Sequence, residues 1–402
     1  MPAPDTRPPF AALGGVLPAA LHTLPTPCYL LDEGALRRNA ALLGALAQRT
    51  GCKILLAQKA FSNYDLYPLL APHLAGTEAS GLYEARLGAE EMPDGEVHVF
   101  CAAYRDDEMD ELLRYADHIV FNSPAQLAKF GAKVKAAGKS VGLRINPECS
   151  TQDGHAIYDP CAPGSRLGTT RAAWDAAVAQ DPTLPQLLDG LHFHTLCEQD
   201  ADALAVTLDA VAEKFGDILP KMQWVNFGGG HHITRPGYAV ETLEHCIARA
   251  QNAWGVTVYL EPGEACALNA GYLLTRVLDV VQNGGTTVAI LDASAACHMP
   301  DVIEMPYRPP LLFAGDAGQK PCTVRLAGPT CLAGDVIGDY GFDAVPRAGD
   351  LLVFGDMAIY TICKNNTFNG MPLPAICVRD EAGSVRELVK FGYRDFKARL
   401  GR

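Results

Sequence analysis

The chain has no run approaching the 18 or more apolar residues that a membrane-spanning helix needs. It is short of positive charge. Its 33 Lys and Arg against 46 Asp and Glu give a formal net charge of −13, whereas nucleic acid selects a basic face. Thirteen Cys are present without a C-x-x-C pair or regular spacing, which argues against both a zinc ribbon and a disulfide framework and fits reduced thiols in a cytoplasmic protein. The first residues, with Pro2, Pro4, Asp5, Pro8 and Pro9, lack the basic segment and apolar core of a secretory signal and read as a floppy arm. No internal repeat occurs, and no low-complexity tract beyond that Pro-rich start. These absences lead to the expectation of a cytoplasmic protein with no membrane or nucleic-acid partner.

At 402 residues the chain is too long for one ordinary core, so two domains are expected. From about residue 35 to 265, helical patterns alternate with short apolar runs at 53–59, 77–80, 97–101, 118–122, 141–146, 190–195, 224–229 and 257–263. Helix-type spacing is clear at 107–115 and 201–215. Eight such units over roughly 230 residues match the count and size of a (β/α)8 barrel, whose chemistry sits at the C-terminal ends of its strands. The one long interruption, 147–168, carries Gly154, Pro160, Pro163 and Gly164. A loop of that length in a compact domain is usually functional or mobile. After residue 266 the pattern changes to short strand-like runs at 288–291, 323–326, 351–354 and 375–378, separated by Gly and Pro turns. The expected fold is therefore α/β: an arm and strand over 1–34, a barrel over 35–265 and a C-terminal β-domain over 266–402. The run Cys28-Tyr29-Leu30-Leu31 is a candidate to join the sheet of that last domain.

Four groups fall at the ends of barrel runs. Lys59 ends the first, and a lysine there is either a snorkelling surface residue or an amine that condenses with an aldehyde. His194 follows Gly190-Leu191-His192-Phe193. Gly228-Gly229-Gly230 follows Trp224-Val225-Asn226-Phe227, and three glycines let backbone N–H groups turn toward an anion, although such a cluster is also an ordinary turn. Glu261, before Pro262-Gly263, either caps a loop or holds a pyridine nitrogen protonated, which makes the ring a strong electron sink. An amine, an imidazole, a glycine cradle and a carboxylate are what binding of pyridoxal 5′-phosphate requires. His192 and His194 also allow another reading, since H-x-H at a barrel strand end begins the zinc site of some hydrolases, with His231 and His232 left to supply the remainder. The expectation retained is no metal.

The same segments resemble the fold-type III pyridoxal-phosphate decarboxylases, the family of ornithine, arginine and diaminopimelate decarboxylases, over residues 25 to 395. The resemblance rests on Ala57-Gln58-Lys59-Ala60-Phe61-Ser62, Leu191 through Glu198, Asn226 through His232 and Glu261-Pro262-Gly263-Glu264-Ala265. It extends to Asp292 through Asp301 and Met305-Pro306-Tyr307-Arg308-Pro309. Within the family the chain resembles most the members that act on carboxynorspermidine and carboxyspermidine. The resemblance implies an alanine racemase-like barrel, pyridoxal 5′-phosphate as cofactor, and a homodimer with shared active sites that forms norspermidine or spermidine. It makes Lys59 the lysine that carries the cofactor, His194 the imidazole on its face, Gly228, Gly229 and Gly230 its phosphate loop, and Glu261 the partner of its ring nitrogen. Glu78, Arg144, Gly263 and Tyr360 become further cofactor contacts, and Cys331, in Gly328-Pro329-Thr330-Cys331, the general acid supplied across the dimer. The broader family has Glu-Pro-Gly-Arg where this chain has Glu264. That exchange of a cation for an anion disfavours a substrate with a second carboxylate and favours an amine-rich tail, for which Glu264, Asp301 and Asp335 are candidates, with Glu304 beside them. The alternatives are another basic amino-acid decarboxylase of the family, acting on diaminopimelate, ornithine or arginine, and a non-catalytic cofactor-binding relative.

Overall fold

A computed structural model describes residues 3–152 and 159–401; residues 153–158 of the expected long loop, Gly154 among them, lie outside the described residues. The chain divides into two compact units, Arg38–Cys266 and the combination of Met1–Arg37 with Ala267–Arg402.

In the first unit, the eight expected runs become eight parallel strands that close into a barrel: β2 (Lys53–Ala57), β3 (Gly76–Ala79), β4 (Glu96–Phe100), β5 (His118–Phe121), β6 (Ser140–Arg144), β7 (Gly190–His192), β8 (Trp224–Asn226) and β9 (Thr257–Leu260). The ring closes where Lys53 and Ile54 of β2 register with Tyr259 and Leu260 of β9. Intervening helices start where the sequence supplies caps. Ser123 accepts from the Gln126 amide ahead of the helix Pro124–Ala136, Thr170 from Ala173 ahead of Arg171–Gln180, and Asp200 from Ala201 ahead of Ala201–Phe215. The acid-rich stretch 107–115 yields only the single turn Met109–Leu112, with Asp107 and Glu108 ahead of it paired to Arg105.

At the strand starts the barrel interior is filled by a polar plug rather than by aliphatic layers alone. Glu96 takes the Lys53 ammonium on one oxygen, and His98 Nε2 at 3.1 Å and the Tyr259 hydroxyl at 2.9 Å on the other. The His98 ring stacks on His118 with centroids 3.8 Å apart, and Trp224 packs against Leu55, Val120 and Tyr259.

The second unit is one nine-stranded mixed sheet in the order β12-β14-β13-β11-β10-β1-β16-β17, with β15 (Leu351–Gly355) also on β10. The remaining members are β1 (Cys28–Asp32), β10 (Gly271–Asn283), β11 (Thr286–Leu291), β12 (Gly315–Asp316), β13 (Cys322–Ala327), β14 (Val336–Phe342), β16 (Ala375–Arg379) and β17 (Val385–Val389). As anticipated from its apolar run, β1 joins this sheet, antiparallel to β10 and parallel to β16. The Pro-rich start is not the floppy arm expected. Phe10, Leu13 and Leu21 are buried in one cluster with Leu30, Tyr272 and Val353, and the Tyr272 hydroxyl donates to the Pro9 carbonyl at 3.1 Å. Removing a Phe or Leu side chain from water stabilises by about 1.5–3 kcal/mol, so this arm is part of the core of the unit.

Candidate active site

Every group that the sequence placed on the barrel lies at or just beyond a strand's C-terminal end. Lys59 sits two residues past β2, in a turn closed by the Ala60 amide on the Ala57 carbonyl at 3.1 Å. The turn is fastened to the next strand by the Gln58 amide on the Glu78 carbonyl at 3.0 Å. Gly263 lets the end of β9 approach it, since a Cβ there would lie 2.6 Å from that of Ala60. The Lys59 side chain is one-third exposed, with Nζ 3.8 Å from Oε2 of the buried Glu78. Among the described residues that oxygen has no hydrogen-bond partner. Burial pushes Glu78 well above the ordinary carboxylate range, with the Lys59 charge opposing it.

Glu261 is held differently. Its Oε1 accepts from Asn226 Nδ2 at 2.6 Å, and its Oε2 faces His192 Nε2 at 3.0 Å. Burial alone raises a carboxyl pKa, but His192, through its position and hydrogen bond, and the Lys59 charge outweigh it, and Glu261 stays below the usual range. Burial holds His192 below its ordinary value, with the Glu261 charge and hydrogen bond opposing it. Asn226 also accepts the Gly228 amide at 2.8 Å and thereby ties the carboxylate to the glycine turn. The sequence reading treated His192 only as a metal alternative and gave Asn226 no role. Their one signal was their place as the last residues of adjacent strands.

The three glycines are required by close approach. A Cβ on Gly229 would lie 2.7 Å from the Glu261 carbonyl oxygen, and one on Gly230 2.1 Å from that of Leu196. The next long helix begins only at Val240, so the cradle is a turn rather than a helix start. The Gly229 amide faces His194 Nδ1 at 3.4 Å, which leaves the ring proton on Nε2, and burial keeps that imidazole neutral. Arg144, also buried, donates to the His194 carbonyl at 3.1 Å and lies 4.5 Å over the Phe100 ring, on which His192 also stacks.

The candidate tail residues fare unequally. Glu264 lies 3.3 Å from His232, and Glu198, from the loop after β7, comes within 4.8 Å of both. Burial opposes a charge on His232, but the two carboxylates outweigh it and raise its pKa. Asp301 and Glu304 share the Lys364 ammonium, which offsets one of their two charges. Asp335 does not fit the expectation. It is buried, its Oδ1 accepts from Ser294 Oγ at 3.0 Å and the Ala296 amide at 3.3 Å, and its Oδ2 accepts from Thr330 Oγ1 at 2.7 Å. It shapes the loop that carries Cys331, whose amide donates to Asn369 Oδ1 at 2.7 Å and whose side chain is exposed. Tyr360 is half-buried with a left-handed φ of 52°. Among the described residues, His192 and His194 belong to no group able to gather around a metal ion. The two such groups are Glu96, His98 and His118 and Glu198, His232 and Glu264. No helix among these residues is long and apolar enough to cross a membrane.

The residues around this rim fit pyridoxal 5′-phosphate. A glycine turn has no room for a Cβ, a buried carboxylate is held ionised, a lysine lies beside them, and one Glu78 oxygen has no hydrogen bond among the described residues. Comparison with known proteins agrees. Residues 28–358 match the family described as pyridoxal-dependent decarboxylase, C-terminal sheet domain. A carboxynorspermidine/carboxyspermidine decarboxylase of Campylobacter jejuni is 41% identical over 93% of this chain and 98% of its own length. A carboxyaminopropylagmatine decarboxylase of Synechocystis is likewise 41% identical, over 95% of this chain and 97% of its own. The crystal structure of the Campylobacter jejuni carboxynorspermidine decarboxylase complexed with norspermidine superposes with a TM-score of 0.85 at 40% identity, covering 94% of this chain and all of that one.

Proposed function

The chain belongs to the pyridoxal-dependent decarboxylase family, and from that membership we propose that it removes CO2 from an α-amino acid whose side chain is a polyamine, carboxynorspermidine or carboxyspermidine. The observation that carries the reading is the single barrel rim on which Lys59, His194, the glycine turn and an ionised Glu261 meet. When bound, the cofactor supplies an aldehyde that condenses with amines and a protonated ring that accepts the electron pair left by departing CO2. Lys59 would anchor it, the Gly228–Gly230 turn would take its phosphate, Glu261 its ring nitrogen and His194 its face. Glu78, Arg144, Gly263 and Tyr360 would complete the surroundings. Cys331 of the partner subunit would deliver the proton that replaces the lost carboxylate, which makes a homodimer the working unit.

Substrate choice follows from charge. Glu264 and Glu198 around one imidazole form an anionic corner that receives an ammonium and repels a second carboxylate. Glu264→Gln is expected to raise KM for the polyamine substrate by an amount equivalent to about 1–3 kcal/mol, the scale of a charged hydrogen bond, with cofactor affinity unchanged. Lost cofactor with an unchanged KM would instead place Glu264 beside the cofactor. A second reading is favoured by the equal identity to the Synechocystis relative, whose named substrate ends in a guanidinium. Steady-state rates with carboxynorspermidine, carboxyspermidine and carboxyaminopropylagmatine decide between them. The proposal requires a triamine precursor to have the highest kcat/KM.

A further inference from the structure

Three consecutive barrel strands end on one buried carboxylate. His192 is the last residue of β7 and Asn226 the last of β8. The two are registered partners in the ladder, and Glu261 follows β9. All three are 2% exposed or less. Among the described residues His192 Nδ1 has no hydrogen-bond partner, and that fixes the form of the ring. A proton on Nδ1 would strand a buried donor, so the proton sits on Nε2, where Glu261 Oε2 accepts it at 3.0 Å. Stacking on Phe100, with centroids 5.5 Å apart and planes 15° off parallel, sets the ring plane. With the Asn226 amide on the other oxygen, each carboxylate oxygen has accepted one strong donor and retains one lone pair.

A carboxylate that already accepts two hydrogen bonds is a weaker base. Facing a ring N–H, it accepts the hydrogen bond and leaves the proton on nitrogen. With one donor removed, its basicity rises and the shared proton moves toward oxygen, so the ring loses the positive charge that makes it an electron sink. We propose that His192 is a positioning residue that acts through Glu261, its Nε2–H orienting the carboxylate and keeping the proton on the cofactor's ring nitrogen. The inference rests on the cofactor placement proposed above and is independent of which polyamine is the substrate.

The test uses the holoenzyme reconstituted with pyridoxal phosphate labelled with nitrogen-15 in the ring, without substrate. In the wild type the nitrogen resonance should be that of a protonated ring across neutral pH. In His192→Leu, which removes the donor and keeps an apolar volume, it should move to the unprotonated position. His192→Gln, whose amide nitrogen can reach the place of Nε2, should restore it. In parallel, kcat should fall on the order of 10–100-fold in the Leu variant, the scale on which supporting residues around a site act, with KM little changed. That deficit should vanish when wild type and variant are both loaded with the cofactor analogue that has carbon in place of the ring nitrogen. A ring equally protonated in wild type and His192→Leu would overturn the proposal and leave His192 a packing residue. Should the Leu variant not fold, wild-type enzyme labelled in histidine decides. Its His192 Nε2 signal must differ between the normal cofactor and the nitrogen-free analogue, and identical signals overturn the proposal. Glu261→Gln is the control for the cofactor placement itself. If that variant keeps a protonated ring, the placement fails and the role of His192 falls with it, whereas an unprotonated ring there beside a protonated one in His192→Leu overturns the role of His192 alone.

Discussion

Lys59→Ala is expected to reduce turnover by at least about 10⁴-fold. Under the proposed function it would remove both the anchor of the cofactor and the amine that releases the product, and even a positioned acid–base group alone contributes about 10²–10⁴-fold. The fold should survive. The side chain is one-third exposed and its nearest charged neighbour is Glu78 at 3.8 Å. Burial already favours the neutral form of that carboxyl, so loss of the ammonium does not strand a buried anion. Thermal melts of the cofactor-free proteins should therefore nearly coincide. Borohydride treatment of the wild-type holoenzyme should fix the cofactor on the peptide containing Lys59 and on no other, and label on another lysine would remove Lys59 from its role. Small primary amines added to the Lys59→Ala enzyme should recover part of the activity, because they replace the lost nitrogen without the covalent tether.

The second large effect belongs to Cys331→Ala. The thiol is exposed in the single chain, while its backbone is fixed by Asn369 and its loop by Asp335. Under the shared-site proposal this thiol would be completed by the barrel of a partner subunit. Turnover should fall by about 10²–10⁴-fold, the contribution of a positioned general acid, with cofactor binding and its absorption spectrum unchanged. Equal mixing of inactive Lys59→Ala and Cys331→Ala subunits should restore up to about a quarter of wild-type activity, since random exchange makes half the dimers mixed and each of those has one intact site. No recovery after demonstrated exchange would put both residues in one chain's site and end the shared-site proposal.

The sequence was legible where burial has a local signature and opaque where partners come from distant strands. All eight barrel strands were visible as apolar runs, but several runs were longer than their strands. The first ends at Ala57 rather than Lys59 and the seventh at Asn226 rather than 229. An apolar run records burial, and the residues past each strand are buried in turns at the barrel mouth without pairing in the ladder. The thirteen-residue β10 was missed because Leu273, Leu274, Val277, Val280 and Val281 recur at intervals that resemble a helix. Its first half is buried between β1 and β15, and its second half forms an exposed hairpin with β11. Asp335 and the Asp301–Glu304 pair looked like free anions because Thr330, Ser294 and Lys364 are brought to them only by the fold. The support that His192 and Asn226 give Glu261 was hidden for the same reason.

The place of β1 has a consequence for synthesis. Its two ladder neighbours are β10 and β16, the latter near the end of the chain, and the chain leaves the sheet after Asp32 to return at Gly271, the registered partner of Leu31, only after the whole barrel has been made. On the ribosome, β1 therefore emerges first and waits with bare peptide edges while the barrel, whose strands pair in chain order, acquires its contacts. A transcript cut before Ala375 would yield a complete barrel attached to a sheet whose first strand has one edge permanently open, a template for pairing with other chains. Fragments ending there should accumulate as aggregates, whereas the segment Arg38–Cys266 expressed alone is spared that particular hazard.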